Sequence, residues 1–143
     1  MTVKQISIFL ENKPGRLADF TDILSRRGID MRALSLAEAE DFGIVRMIVD
    51  DVYNASTILK DEGYVFSITE VLAVEMPDEP GALSGIIRVL GENEVNIDYL
   101  YAFTARKKGA AYMILRVKDN KKAVDVLKAS GIRPVGQEEL ADL

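Results

Sequence analysis

Polar and apolar residues alternate from residue 3 to residue 10, with Ile6, Ile8 and Leu10 in step. A period of two with β-branched content predicts a strand. Asn12-Lys13-Pro14-Gly15 ends it, and the period changes. Leu17, Phe20, Ile23 and Leu24 form a helical stripe, with Asp19 and Asp22 early and Arg26 and Arg27 late. That charge order complements the helix dipole. Gly28 is placed to stop the helix. Residues 29–37 and 44–49 predict two strands joined by the acidic turn 38–43. Asp50-Asp51 offers an N-cap to a short helix over 52–62, marked by Val52, Ala55, Ile58 and Leu59 and stopped at Gly63. Tyr64, Phe66 and Ile68 alternate as a fourth strand. No turn residues follow, so this strand is expected to run on through Met76.

The second half repeats the first. Pro14 and Pro80, Gly15 and Gly81, and Leu17 and Leu83 are each 66 positions apart. The same offset carries Asp30 to Asn96, Met31 to Ile97, Leu34 to Leu100, Gly43 to Gly109 and Met47 to Met113. An offset shared this widely indicates a duplication. Leu83, Ile86, Ile87 and Leu90 stripe a helix. Residues 95–104 and 110–117 form a hairpin over Arg106 to Gly109. Lys118-Asp119-Asn120 opens a helix through Ala123, Val126 and Leu127, which Gly131 stops before a short strand at 132–135. Residues 138–143 read as a frayed acidic tail. Glu94 stands where the first unit has Gly28, so this helix is expected to end differently, with Asn93 or Gly91 supplying the turn.

Each unit therefore reads β-α-β-β-α-β. The expected class is α+β: two ferredoxin-like units in tandem, residues 1–70 and 71–143, with antiparallel sheets and helices on one face. Units of about 70 residues bury too little surface to be stable alone. An interface, with each other or with a second chain, is expected. In the strand after the third helix, Ile97, Tyr99, Tyr101 and Phe103 alternate with Asn96, Asp98, Leu100 and Ala102. Leu100 and Ala102 make the second set less polar than a free outer face, which reads either as ordinary strand composition or as a contact face.

The net charge of −5 disfavours a phosphate-backbone partner. The tight basic cluster Arg106-Lys107-Lys108 reads as a solvated hairpin tip or as an anion-contact loop. The chain has no cysteine, no apolar run near the roughly 20 residues of a membrane span, and a Met1 that leads directly into strand. A cytoplasmic protein without a membrane partner is expected.

Chemistry for catalysis is sparse. With no His and no Cys, triads and His-metal sites are absent, as are GxGxxG and GxxxxGK[ST]. Asp41, Asp50, Asp51 and Asp61-Glu62 read as solvated acids, with paired catalytic carboxylates as the alternative. No cofactor or metal is expected. The two Pro-Gly turns are better candidates. Each sets backbone N–H groups at a helix N-terminus, which suits a carboxylate. Asn12 and Asp78 stand beside the turns; Asp78 suits an ammonium group and Asn12 either end. Asp30, Asn96 and Asp98 open the following strands, a helix length away within one unit. Such a turn can also be only a turn, but it recurs in register.

Asn12-Lys13-Pro14-Gly15-Arg16-Leu17 followed by Gly28-Ile29-Asp30-Met31 resembles an ACT domain, as does Asp78-Glu79-Pro80-Gly81-Ala82-Leu83 followed by Val95-Asn96-Ile97. The resemblance covers nearly the whole chain and is nearest to small stand-alone tandem-ACT proteins. It implies a non-catalytic regulatory module that binds a free amino acid at ACT–ACT interfaces, against the turn before the first helix. By position it implies contacts from Asn12, Pro14, Gly15, Arg16, Leu17, Asp30 and Met31, and from Asp78, Pro80, Gly81, Ala82, Leu83, Asn96 and Ile97. Asp78 in place of Asn12 implies that the two sites differ. A homodimer is expected, with an unidentified enzyme or transporter as a possible partner. Leu34, Leu36, Leu100 and Tyr101 lean toward an apolar or aromatic ligand side chain.

Three other readings stand beside this one. The chain could be a ligand-free dimerising subunit of a metabolic enzyme or transporter. It could be an enzyme on a ferredoxin-like scaffold. It could bind RNA through Tyr99, Tyr101 and Phe103, against which the acidic balance and the missing RRM signature count.

Overall fold

A computed structural model describes all 143 residues. The chain forms two compact units, Lys4–Thr69 and Glu70–Leu143, the latter including Met1–Val3.

The N-terminal unit runs β1 (Val3–Glu11), α1 (Arg16–Arg26), β2 (Met31–Glu38), β3 (Phe42–Val49), α2 (Val52–Asp61) and the start of β4 (Phe66–Pro77). β3 pairs antiparallel with both β1 and β2, in registers such as Ile8 opposite Val45 and Leu34 opposite Met47. Phe9 N–H donates to the Val65 carbonyl at 3.1 Å, setting the entry to β4 beside β1. Ile6, Ile8 and Leu10 meet Val45, Met47 and Val49 on one sheet face, and Phe20, Leu24, Ala55, Ile58 and Leu59 of the two helices close over it. Both helices thus lie on one face, as the period of two in the strands and the stripes of the helices require. Asp51 caps α2 by accepting from Asn54 N–H at 3.0 Å. Asp50 instead secures the start of β2, its Oδ1 accepting from Asp30 N–H at 3.0 Å.

The C-terminal unit continues β4 and adds α3 (Ala82–Glu92), β5 (Tyr99–Phe103), β6 (Ala110–Arg116), α4 (Asn120–Ala129), β7 (Arg133–Val135) and α5 (Gln137–Asp142). β6 pairs antiparallel with β4 and β5, and β7 pairs with β4 over Ala73 to Glu75. Leu72, Val74, Met76, Leu115 and Val117 pack under Ile86, Leu90, Ala123 and Leu127. β4 is one unbroken strand of 12 residues, as the missing turn signal requires.

Four details depart from the sequence reading. First, Glu94 itself adopts a left-handed conformation, φ 60°, and neither Asn93 nor Gly91 takes over. Val95 N–H reaches the Leu90 carbonyl at 2.8 Å, as Ile29 N–H reaches Leu24 at 3.0 Å behind Gly28. The repeated helix ending dictates the backbone, and the side chain conforms. Second, β5 begins at Tyr99 rather than residue 95. Asn96 Nδ2 donates to Asp98 Oδ1 at 3.2 Å, and these short polar side chains hold an irregular lead-in. Third, that lead-in breaks the alternation. Ile97 packs on the helix-side core, whereas Leu100 and Ala102 pair with Leu115 and Met113 on that same side. Tyr101 and Phe103 lie on the other face, opposite Ile114 and Tyr112, and are buried there. Fourth, the acidic tail is not frayed. It forms α5, because Leu140 is buried to 1% exposure and Glu139 meets Arg133.

Candidate functional site

The two Pro-Gly turns have the same backbone. Gly15 has φ 86° and Gly81 φ 91°, each the N-cap of its helix. A side chain at such a φ is strained, so glycine is required. Neither helix has a side-chain cap. Arg16 N–H turns back to the Lys13 carbonyl at 3.3 Å, and Asp19 N–H makes the first helical bond, to Gly15, at 3.0 Å. Ala82 to Glu79 at 3.3 Å and Gly85 to Gly81 at 2.9 Å repeat this in the second unit. Between these bonds the N–H groups of Leu17 and Ala18, and of Leu83 and Ser84, have no partner. They are the orphan donors of a helix start, at the positive end of its dipole.

Each turn is pinned to the hairpin of its own unit. Asn12 N–H donates to the Asp41 carbonyl at 3.0 Å, and Asp78 N–H to the Gly109 carbonyl at 3.0 Å. Asn12 Nδ2 reaches toward the Ala39 carbonyl at 3.5 Å, leaving its oxygen open. Asn12, Pro14, Gly15, Arg16, Asp78, Pro80 and Gly81 are exposed. Leu17, Ala82 and Leu83 are half-buried against their cores. The charges differ. Glu11 is 3.0 Å from Lys13 and 3.8 Å from Arg16. The Lys13 hydrogen bond and charge, with that of Arg16, hold the Glu11 carboxyl below its usual range. The second turn has Asp78 and Glu79 and no cation between Pro77 and Gly81.

The remaining candidates lie elsewhere within their units. Asp30 and Met31 follow the far end of α1, about 16 Å along an 11-residue helix. Asp30 Oδ2 is 3.4 Å from Arg32, and Met31 packs on the core. Asn96 is bonded to Asp98, and Ile97 joins the core. The turn residues of a unit are thus together, and the strand-start residues are not with them.

One cluster had no signal in the sequence. Glu75 on β4 accepts from Lys107 Nζ at 2.6 Å and Tyr112 OH at 3.0 Å on one oxygen, and from Arg133 Nε at 2.8 Å and Nη2 at 2.7 Å on the other. Arg133 Nη1 also donates to Glu139 at 2.9 Å. Lys107 and Arg133 pull the Glu75 carboxyl down to about 2, while burial and Glu75 push the Tyr112 hydroxyl up. These partners are 32 to 58 residues apart in sequence, beyond any local pattern.

Comparison with known proteins places this geometry. A family model for an ACT domain pair matches residues 1–143. The chain belongs to the ACT domain-pair family. A protein of known crystal structure from Bacteroides thetaiotaomicron is 38% identical to this ACT pair, with a TM-score of 0.91, covering 100% of this chain and 98% of that one. The regulatory subunit of aspartate kinase from Thermus thermophilus, in a ligand-free form, is 14% identical with a TM-score of 0.63, covering 88% and 90%. The same subunit from Thermus flavus is 14% identical with a TM-score of 0.60, covering 90% and 92%. At that identity the likeness to the kinase subunits is one of fold. No curated protein matches the chain. No helix of this ACT pair is long and apolar enough to cross a membrane.

Proposed function

We propose that this ACT pair is a non-catalytic, cytoplasmic regulatory protein that binds a free amino acid at its Pro-Gly turns. The observation that carries this reading is the recurrence, 66 positions apart, of two unpartnered N–H donors behind a left-handed glycine. A carboxylate fits such a helix start. The first turn is the stronger carboxylate site, since Lys13 and Arg16 stand beside it. The second, with Asp78 and Glu79, repels a carboxylate and favours the ammonium end. Asp30, Met31, Asn96 and Ile97 take part when a partner copy in a homodimer contributes them. Binding shifts an equilibrium between arrangements only by its differential affinity, and a partner enzyme reads the result.

A thermal-shift screen of the common amino acids at millimolar concentration tests this. A ligand at about 100 times its dissociation constant adds roughly 2.7 kcal/mol, several degrees in a domain this size. Asn12→Ala and Asp78→Ala each remove the shift at their own turn. A screen without any shift removes free amino acids as the ligand class.

A second reading, a ligand-free dimerising subunit, is favoured by one feature. β2 pairs with a strand on one side only and leaves Leu34 and Leu36 at 42% and 56% exposure.

A further inference from the structure

The Glu75 cluster forms the floor of a hollow of about 330 Å³ in the C-terminal unit, whose walls include Lys107, Lys108 and Arg133. A second hollow of about 310 Å³ shares Glu75, Met76, Pro77 and Gly131 with the first. Its remaining wall is mostly aliphatic: Ala82, Ile86 and Val89 of α3, with Ile132. The groove exists because β7 pairs with β4 only as far as Glu75, so Met76 and Pro77 extend past its end. Gly131, φ 76°, turns the chain away there.

The hydrogen-bond inventory decides what the charged half can take. A carboxylate offers about four acceptor positions. Those of Glu75 are filled by Lys107, Tyr112 and two nitrogens of Arg133. Arg133 spends two further N–H groups on Glu139, which leaves it one. Most of the free donors are on Lys107, which has made one bond, and on Lys108. No carboxylate oxygen in the hollow remains for an ammonium group. Of the charged residues that line the hollow, Lys107, Lys108 and Arg133 are cations and Glu75 alone is an acid, so the lining itself is positive. We propose that this groove binds an aliphatic monocarboxylate lacking an α-ammonium group, with its carboxylate at Lys107 and Lys108 and its chain along Ala82, Ile86, Val89 and Ile132. The site lies within one unit, does not use the open N–H donors of the Pro-Gly turns, and selects against the amino acids proposed there. It gives Lys107 and Lys108 a role beyond a hairpin tip.

The test is calorimetric titration of the full chain with straight-chain monocarboxylates from acetate to octanoate, n-alkylammonium ions of the same lengths, and norleucine. The carboxylates bind saturably, tightening about four-fold per added methylene until the groove is filled; the alkylammonium ions do not displace them. Lys108→Ser weakens binding about ten-fold, the loss of one charged hydrogen bond. Gly85→Leu places a side chain in the apolar half, where a Cβ meets nothing within 4 Å; it removes the chain-length dependence. Lys108→Ser keeps the parent melting temperature, and Gly85→Leu does not lower it, because leucine favours a helix interior over glycine. No saturable binding, binding unchanged in both variants, or hexanoate and norleucine binding alike through this groove overturns the proposal. A norleucine signal lost in Asn12→Ala but kept in Gly85→Leu belongs to the Pro-Gly turn and leaves the proposal standing.

Discussion

Glu94 shows how strongly a repeated backbone can override a single residue. It sits at φ 60° where its counterpart Gly28 has φ 75°. A non-glycine residue there costs about 1–2 kcal/mol, partly offset because glycine loses more entropy on folding. Glu94→Gly is therefore expected to raise stability by up to about 1 kcal/mol, and Gly28→Ala to lower it by about 1 kcal/mol, both read by urea denaturation. Glu75 is the second residue with measurable consequences. Its carboxyl falls from 4.5 to about 2 in the fold. A lowered folded value means stabilisation that is fully present above pH 4.5 and is lost as pH falls toward 2. Glu75→Gln should thus destabilise the protein at pH 7 by about 1–3 kcal/mol. The gap between variant and parent closes between pH 4.5 and 2; a gap independent of pH would show that the ion pairs contribute nothing.

Among the elements, α5 changes the picture most. Six residues cannot hold a helix alone, since nucleation is costly. Gln137–Asp142 is helical because Leu140 is buried and Arg133 holds Glu139. Its acids, Glu138 and Glu139, sit in the first turn, where the dipole favours them. Leu140→Ala is expected to cost about 2–4 kcal/mol, with exchange protection lost first in α5 and β7. An unchanged denaturation midpoint would mean that the helix is an ornament. The other helices were legible because their signals are local: Asp51 and Asp119 cap α2 and α4 through backbone N–H groups three residues on. The start of β5 was not legible, because the Asn96–Asp98 bond competes with the strand ladder.

At the scale of the molecule, the question is what covers the open edge of β2. Its inner residues Leu34 and Leu36 face the helix side opposite Met47 and Val45, yet remain exposed. An edge strand with exposed apolar residues invites pairing. Under the homodimer reading, Leu34→Lys with Leu36→Lys converts dimer to monomer in sedimentation velocity without altering the circular dichroism spectrum. A dimer that persists places the interface elsewhere. The same experiment separates the two functional readings, because a ligand site completed by a partner copy loses its thermal shift with the dimer.

By itself the sequence determined what depends on neighbours along the chain. Period-two and period-3.6 patterns set the order of the elements, the 66-position offset declared the duplication, and Pro14-Gly15 and Pro80-Gly81 marked the helix starts with their open donors. These signals are local because a turn, a cap or a stripe is satisfied within a few residues. Only the tertiary structure decided which face of β5 holds Tyr101 and Phe103, that the tail folds, and that Glu75 meets Lys107 and Arg133. Those outcomes rest on contacts between strands and helices far apart in the chain. There a shift of one residue moves a side chain to the opposite face, and no local pattern records the partner.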